Sequence, residues 1–339
     1  MFDIIVIGAG PIGLYSAYLC ENLGYKVLVI EEDEEIGKPL KCSGLISRNI
    51  KKFFSDIENW DVVENEVSCA ILHSKNIELK LKKDKAAYVI NRSLFDKKIS
   101  ELINSEIKLK CKAEKIFFEK GSCVKIKTNK GSFETETVLF CDGPNSICNL
   151  SKTKILVKGV FGLINKKNYD NYVDLYFNKK ELKDGFFWKI PRGEKTEYGL
   201  WGKNANFDML ENFFKIKVHE KHAGLIPIKS VIKSYGERFL LIGGSAGQNK
   251  PWSGGGVIYG LLCAQIAAKV IEKAFRFNNF SESILKEYED EWKRKIGKQI
   301  KLGMIFRKIF EISNDFELDL IFSMAKFLDY SWMDMDFIW

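Results

Sequence analysis

The sequence predicts an α/β protein with a Rossmann-like parallel sheet, an interleaved antiparallel β domain and C-terminal helices. Three observations predict this class. A strand, a glycine loop, a helix and a second strand open the chain, alternating β segments fill its middle, and a buried strand with a long apolar helix returns near residues 238–275. The chain has 339 residues, enough for one large or two modest domains.

The bulk composition excludes several classes of protein. The 53 basic residues outnumber the 45 acidic ones, but they are spread along the chain, which favours a solvated surface and no nucleic-acid partner. The eight cysteines form no CxxC pair, so no metal site is predicted. The N-terminus lacks the positive charge of a signal peptide, and no apolar run reaches a membrane-spanning length. We therefore expect a reduced, cytoplasmic protein.

The first element is a βαβ unit. The apolar run at 3–7 predicts a buried strand, GAGPIG follows at 8–13, a helical pattern ends near Gly24, and 26–32 predicts a second strand. This placement turns a weak GxGxxG match into a specific one.

Each glycine of this loop has a physical use in nucleotide binding. Gly8 permits the tight turn, Gly10 lets the backbone approach a pyrophosphate, and Gly13 allows close packing of helix on strand. The helix N-terminus offers amide donors to the phosphates. Glu31, at the end of the second strand, can accept both ribose hydroxyls and disfavours a 2′-phosphate. FAD or NAD is therefore predicted, and NADP is not.

The middle of the chain predicts β structure. Alternating segments between 60 and 140 indicate antiparallel hairpins, with a turn at 129–131, and 138–146 predicts a return to the parallel sheet. Residues 155–230 are β-rich with interleaved aromatics. His219 and His222 have helical spacing, but no further ligand accompanies them.

A second glycine-rich stretch, GGSAGQNKPWSGGG at 243–256, follows a predicted strand and precedes a helix over 257–275. Glycines of this density indicate a backbone that a ligand approaches closely. The end of the chain, 281–330, predicts charged helices, and the amphipathic segment 321–339 either packs on the body or rests on a bilayer surface.

These motifs, taken in order, resemble the geranylgeranyl reductase family of flavoproteins, within the p-hydroxybenzoate-hydroxylase-like class. The order is VIGAGPIG, the strand ending at Glu31, KCSG, INRSLFD, CDGPNS and the stretch that begins at residue 241. The resemblance covers roughly residues 1 to 280. One position departs from the family: its GD pair places an Asp where this chain has Gly244, so a hydrogen bond to the ribityl chain is missing unless Ser245 or a water replaces it.

The resemblance implies FAD as the cofactor. It implies that the first loop holds the ADP half and that Gly256 and Val257 face the flavin, whose reduced form a helix N-terminus stabilises. Asp142 contacts FAD or caps its own turn. The residues implied in cofactor contact are Gly8, Gly10, Ile12, Gly13, Glu31, Cys42, Ser43, Gly44, Arg92, Ala113, Asp142, Gly244, Gly256 and Val257.

The substrate side is expected in GFFWKIP at 185–191. Reductases of the family carry a Pro-x-x-Tyr-x-Trp-x-Phe-Pro pattern, of which Trp188 and Pro191 remain and Phe186 replaces the Tyr. Flavin-dependent halogenases look similar, with Trp-x-Trp-x-Ile-Pro. We expect Phe186, Trp188 and Pro191 to line an apolar substrate wall, or else to pack the core of a strand.

The implied reaction is the reduction of isolated double bonds in geranylgeranyl chains of isoprenoid lipids. Such an alkene is poorly polarised, so a general acid must add a proton. Cys42 is the candidate, because a thiol stays protonated in an apolar cavity; the alternative is an inert packed thiol. Two other functions stay open: a flavin-dependent monooxygenase or halogenase, and a non-catalytic flavin-binding protein.

The implied partners are an isoprenoid lipid substrate and an external electron donor, NAD(P)H or ferredoxin, since no second nucleotide motif or iron–sulfur spacing is present. Peripheral contact with the inner membrane surface is a further expectation. The predicted domains are a discontinuous FAD-binding domain (1–60, 85–105, 135–150 and 236–280), inserted β segments (61–84 and 106–134), a substrate domain (151–235) and a C-terminal helical region (281–339).

Overall fold

The computed structural model describes residues 1–118, 123–153, 155–330 and 334–336. It divides the chain into two compact units, each made of three chain segments. The first unit comprises Met1–Pro39, Ser93–Leu156 and Pro227–Lys301, and the second comprises Leu40–Arg92, Val157–Ile226 and Leu302–Trp339.

Two sheets account for the strands of the described residues. The first contains β1 (Phe2–Ile7), β2 (Val27–Ile30), β6 (Glu106–Lys108), β7 (Ala113–Phe118), β8 (Val124–Thr128), β9 (Gly131–Phe140), β15 (Tyr235–Gly236) and β16 (Phe239–Leu241). The second contains β3 (Leu45–Ser47), β4 (Val63–His73), β5 (Glu78–Ile90), β10 (Leu156–Ile164), β11 (Tyr172–Tyr176), β12 (Phe186–Arg192), β13 (Lys195–Gly202) and β14 (Glu220–Pro227). The helices are α1 (Pro11–Asn22), α2 (Arg92–Ser100), α3 (Phe207–Phe214), α4 (Val257–Arg276), α5 (Glu282–Ile312) and α6 (Asp315–Ala325).

The first sheet has a parallel core in the order β16-β9-β1-β2-β6. Its central strands are apolar because both faces are covered; β2 is buried throughout. Strand β9 also forms the predicted hairpin with β8, turning at Gly131 with φ +114°. The strands, the helix after the first loop and the long apolar helix α4 are therefore confirmed.

Parallel strands end at one edge of a sheet, and this edge collects the predicted motifs of the first unit. The first glycine loop follows β1, Glu31 follows β2, Asp142 follows β9, and the late glycine stretch follows β16. Segments more than two hundred residues apart in the chain are thus brought to the same end of one sheet.

The second sheet has the order β14-β10-β13-β12-β11-β4-β5-β3. Helix α3 covers one face, where Phe187, Leu200 and Leu210 join a buried cluster. The sequence indicated only β structure over 155–230, so this helix is an addition. The helical spacing read at His219 and His222 is wrong, since His222 lies on strand β14.

The two units cut the chain at positions other than the predicted domain limits. Residues 40–60 lie in the second unit, and hairpin residues within 106–134 lie in the first. Strand pairing decides this, because β3 pairs with β5 while β8 pairs with β9. Helices α5 and α6 form the predicted C-terminal helical region; of the terminal segment, 331–333 and 337–339 lie outside the described residues. Within the described part of the chain, no helix is both long and apolar enough to cross a membrane.

Candidate cofactor and substrate sites

The first glycine loop is tightly packed at two of its glycines and open at the third. Gly8 has φ +101°, and a Cβ added there would lie 2.6 Å from Cys141 O. A Cβ at Gly13 would lie 1.9 Å from Gly8 O. A Cβ at Gly10 would meet none of the described atoms within 4 Å, so the loop is open on this side. The packing matches the roles expected of the three positions.

The helix that follows this loop has a free positive end. Gly10 is the N-cap of α1 and provides no side-chain cap, Pro11 takes a position where no amide donor is needed, and no acidic residue stands in the first turn. The first amides of a helix and its dipole favour an anion. The described residues therefore leave a position suited to a phosphate group.

Glu31 is tied to the same loop. Its Oε2 accepts a hydrogen bond from Ala9 N at 2.6 Å, and its Oε1 accepts one from Asp33 N at 2.9 Å. A carboxylate oxygen can accept more than one hydrogen bond, so both oxygens keep capacity for hydroxyl donors. The carboxylate thus orders the turn and still suits a ribose.

The two glycine segments meet through Ile12. A Cβ at Gly243 would lie 3.1 Å from Ile12 Cγ1, and one at Gly260 would lie 2.5 Å from Ile12 Cδ1. Ile12 therefore fills a recess formed by two glycines, one at the start of the late stretch and one in the first turn of α4. The first loop and the N-terminus of α4 belong to one surface of the first unit.

Asp142, Gly244 and Ser245 occupy the junction between β9 and β16. Asp142 Oδ2 accepts a hydrogen bond from Ile147 N at 2.9 Å, so this oxygen caps its own turn. A Cβ at Gly244 would lie 3.2 Å from Gly143 Cα, which is a tight fit for a larger residue.

Ser245 is fully buried and forms internal hydrogen bonds. Its Oγ accepts from Ile242 N at 3.1 Å and also bonds Phe140 O. This hydroxyl holds two strand ends together, so it does not substitute for the family's Asp at position 244.

The late stretch holds polar atoms without an assigned hydrogen-bond partner. Asn249 Oδ1 and Ser253 Oγ are buried, and neither has a hydrogen-bond partner among the described residues. A Cβ at Gly256 would lie 2.3 Å from Asn249 Nδ2, so a larger residue there would displace the Asn249 side chain. Gly256 is also the N-cap of α4 and provides no side-chain cap. Buried polar atoms that lack partners are costly, which indicates a polar ligand at this loop.

These features of the first unit fit a dinucleotide. An open glycine position before an uncapped helix suits a pyrophosphate, and the late stretch has free polar groups beside a second uncapped helix. Val257 is the first residue of that helix. Ala113 begins β7 opposite Thr128, on the hairpin where the sequence placed it.

The remaining predicted contacts lie in the second unit. Gly44 has φ +80°, and a Cβ there would lie 2.2 Å from Ile90 O and 3.2 Å from Arg92 Cγ. The KCSG loop is therefore packed against the end of β5. Arg92 begins α2 and is only 8% exposed, so it is not a surface residue of a hairpin. Cys42 is partly buried.

A buried network of charged side chains holds the KCSG loop in place. Arg192 Nη1 donates to Glu197 at 2.8 Å, and its Nη2 lies 2.7 Å from Glu64 Oε2. The same guanidinium donates to Ser43 O and, at 2.9 Å, to Ile90 O. One side chain thus fixes the carbonyls on both sides of the contact between Gly44 and β5.

Glu197 connects the network to the aromatic wall. It is fully buried and accepts a hydrogen bond from Trp188 Nε1 at 2.8 Å. Burial raises the pKa of Glu197 to about 7, while the Arg192 guanidinium and the Trp188 indole oppose the rise. The carboxyl therefore titrates near neutral pH inside the sheet.

The structure brings two of the three predicted wall residues together. Phe186 and Trp188 lie on one face of β12, with ring centroids 6.3 Å apart. The indole lies across Gly199, where a Cβ would be 2.2 Å from the ring. Pro191 belongs to the opposite face, because successive strand side chains alternate. The expectation that all three line one wall is corrected on this point.

His222 is a residue of this face that the sequence reasoning set aside. Its ring packs on Phe161 with centroids 5.1 Å apart, and Phe161 pairs with Gly199 across the sheet. Burial lowers the pKa of His222, and its Nε2 has no hydrogen-bond partner among the described residues. Exposure alternates along 220–225, as expected of a strand that places His222 on its inner face.

The fold and the first unit define a Rossmann-type dinucleotide-binding protein. A family model described as an NAD(P)-binding Rossmann-like domain matches residues 6–40. A digeranylgeranylglycerophospholipid reductase from Methanocaldococcus jannaschii is 30% identical, over 95% of this chain and 90% of the relative. The chain belongs to the digeranylgeranylglycerophospholipid reductase family.

Solved structures agree on the fold. A geranylgeranyl bacteriochlorophyll reductase-like protein from Thermoplasma acidophilum superposes with a TM-score of 0.89 at 21% identity, over 98% of this chain and 94% of that one. The halogenase PltM superposes with a TM-score of 0.76 at 14% identity, over 95% and 79% of the two chains. At these identities the likeness concerns the fold alone.

Proposed function

We propose that this protein is an FAD-dependent reductase that saturates isolated double bonds in geranylgeranyl chains of isoprenoid ether lipids or their precursors. Family membership supports the reaction class. The observation that carries the cofactor assignment is the contact of Ile12 with Gly243 and Gly260, because it makes one surface from the two glycine segments. A bound flavin supplies the hydride for such a reduction.

In this proposal the first unit binds and orients the cofactor. The amides after Gly10 hold the pyrophosphate, Glu31 holds the ribose, and Gly256 with Val257 faces the ring. Asn249 Oδ1 and Ser253 Oγ gain the hydrogen-bond partners that the described residues do not provide. The dipole of α4 favours negative charge at this edge.

The second unit supplies the proton and the apolar wall. Cys42 Sγ–H donates the proton to one alkene carbon, because an unpolarised double bond needs an acid. Arg192 positions the loop by holding Ser43 O, next to that cysteine. Phe186 and Trp188 exclude water from the isoprenoid chain. NAD(P)H or a ferredoxin is the external electron donor, and the lipid is met at the inner membrane surface.

The test is a single-turnover assay. Protein loaded with FAD and reduced by dithionite is mixed anaerobically with a geranylgeranyl ether lipid, and mass spectrometry follows added hydrogens. We expect a stepwise gain of hydrogens by the lipid. Cys42→Ala should slow this step by about a hundredfold or more. Cys69→Ala is the matched control, because Cys69 is also a partly buried free thiol of the second unit.

Three results would contradict the proposal or its assignment of the proton donor. An unchanged lipid mass under every donor removes the reductase activity, and oxygen incorporation with air present identifies a monooxygenase. Equal rates for the Cys42→Ala and Cys69→Ala variants assign the proton to another group.

A further inference from the structure

The C-terminal helices of the second unit expose an unusual number of large apolar side chains. Phe327 is 91% exposed and Phe316 is 76% exposed. We call this surface the apolar face; its members are Leu302, Ile305, Phe306, Ile309, Ile312, Phe316, Leu320, Ile321, Met324, Phe327 and Leu328. Contiguous exposed apolar surface of this kind marks a binding site.

The spacing shows that the exposure is organised. On α5, residues 302, 305, 306, 309 and 312 recur at intervals of three and four, which is one stripe of a helix. On α6, residues 316, 320 and 324 recur every four. Each stripe faces away from the body of the second unit.

The inward side of the same helices combines apolar packing with polar contacts: Leu318 and Phe322 are buried, and Phe322 packs edge-on against Phe177. Arg307 is 5% exposed and donates to Asp184 O at 2.9 Å. Asp319 accepts from Asn76 Nδ2 at 2.7 Å. Asp315 accepts from Lys179 N at 3.1 Å. Polar anchoring on the inside fixes the helices with their apolar side outward.

Three lysines and two acids, Glu317 and Asp329, are exposed along residues 301–330, so the excess of positive charge beside the apolar face is small. Lys301, Lys308 and Lys326 are exposed. The acids Asp315 and Asp319 are bonded inward, and Glu317 forms a capping box with Asn314. Lysines beside an apolar surface suit an anionic lipid interface.

We propose that the apolar face docks the protein on an anionic lipid bilayer, with Phe306, Phe316 and Phe327 inserted and the three lysines at the headgroups. The choice of a bilayer rests on the proposed function, because the lipid chains to be reduced lie in a membrane. Peripheral binding of this kind needs no membrane-spanning helix.

The experiment is vesicle co-sedimentation of the full chain. The wild type should bind phosphatidylglycerol vesicles more tightly than phosphatidylcholine vesicles. The triple variant Phe306→Ser, Phe316→Ser, Phe327→Ser should lose about a hundredfold in partitioning. The triple variant Lys301→Gln, Lys308→Gln, Lys326→Gln should lose about tenfold for phosphatidylglycerol alone.

A matched control removes equally exposed apolar side chains elsewhere. Phe117, Ile232 and Phe277 of the first unit are 48%, 74% and 55% exposed. Changing these three to Ser should leave vesicle binding unchanged. Circular dichroism melts of all variants establish that the fold is retained.

Wild-type binding by the phenylalanine variant overturns the proposal. The proposal is also overturned if the phenylalanine variant is a monomer while the wild type is a dimer, and vesicle binding is unchanged. The apolar face would then bind a second copy of the chain. Sedimentation needs no turnover, so the test is separate from the proposed reaction: vesicle binding that depends on the apolar face, together with an unreduced lipid, supports the docking and removes the reductase activity.

Discussion

The first unit positions its candidate ligand contacts with bare backbone, whereas the second unit positions its own with buried charge. Around Gly8, Gly13 and Gly256, a single added methyl group would collide with main-chain atoms or a buried amide. Around Ser43 and Trp188, one guanidinium and one carboxylate fix the geometry. We call the first arrangement the backbone device; it leaves no room for an added side chain. We call the second the charge device; it holds its geometry only while all of its charged partners are present.

The largest effect is expected from an alanine scan of the first loop. Gly13→Ala puts a methyl group 1.9 Å from Gly8 O, so we expect a loss of about 4 kcal/mol or more in the free energy of unfolding. Gly10→Ala should fold normally, because its methyl group meets no described atom, but should weaken FAD binding at least about tenfold. Urea unfolding and flavin fluorescence titration measure the two effects. If Gly13→Ala and Gly10→Ala had equal free energies of unfolding, the tight packing seen at Gly13 would not affect stability.

Removing one charge tests the second device. Arg192→Met leaves Glu197 buried without its cation, so we expect a loss of about 3–5 kcal/mol in urea unfolding. The double variant Arg192→Met, Glu197→Leu should recover part of this loss, since Glu197 is no longer a buried charge and only Glu64 is left without its cation. The exposed Arg276→Met serves as the control, with an expected change below about 0.5 kcal/mol. If Arg192→Met proved as stable as Arg276→Met, the charge network would contribute no measurable free energy of unfolding.

The pH dependence of stability sharpens the same point. Burial raises the pKa of Glu197 from 4.5 to about 7, so the folded state holds a proton that the unfolded state releases between these values. The free energy of unfolding should therefore fall by about 3 kcal/mol as pH rises through this window, and then level off. Glu197→Gln should lack this contribution. Parallel unfolding curves for the two proteins from pH 4 to 8 would contradict the assignment.

The smallest effect concerns the late glycine stretch. Ser253→Ala removes a buried hydroxyl that has no partner among the described residues. The free energy of unfolding of the protein without cofactor should therefore rise by about 1 kcal/mol. The same variant should bind FAD several-fold more weakly, because that hydroxyl is the expected contact. Exposed Ser283→Ala should change neither quantity. Thermal melts with and without FAD measure both, and a variant that loses stability without cofactor would place the hydroxyl in an internal bond.

The backbone device could be predicted from the sequence because glycine is its signature. Glycine-rich segments indicate a tight turn or a closely approached backbone from the sequence alone. The chain has two of them, GAGPIG between a strand and a helix and the six glycines in 243–256. Membership of the parallel sheet could be anticipated too, since apolar runs that need two covered faces belong to such a sheet.

The charge device could not be predicted from the sequence. Arg192 and Glu197 look like ordinary charges of a hairpin, and only strand pairing places them on the face of Trp188. Gly199 makes room for the indole of Trp188, which lies eleven residues earlier in the chain and opposite Gly199 on the neighbouring strand. Pro191 was misplaced because a family motif fixes order along the chain, whereas the strand alternation decides the face.

The late position of β16 and α4 has a consequence for synthesis of the chain. The end of strand β9, residues 138–140, has no neighbour on the side away from β1 until Phe239–Leu241 has left the ribosome, and Ile12 has no complete recess until Gly260 follows. A nascent chain therefore carries an open sheet edge while about a hundred further residues are made, and this edge is vulnerable to wrong pairing. In the proposed function, the cofactor is captured only after about three quarters of the polypeptide has been made, and chain termination before residue 242 should yield an insoluble product.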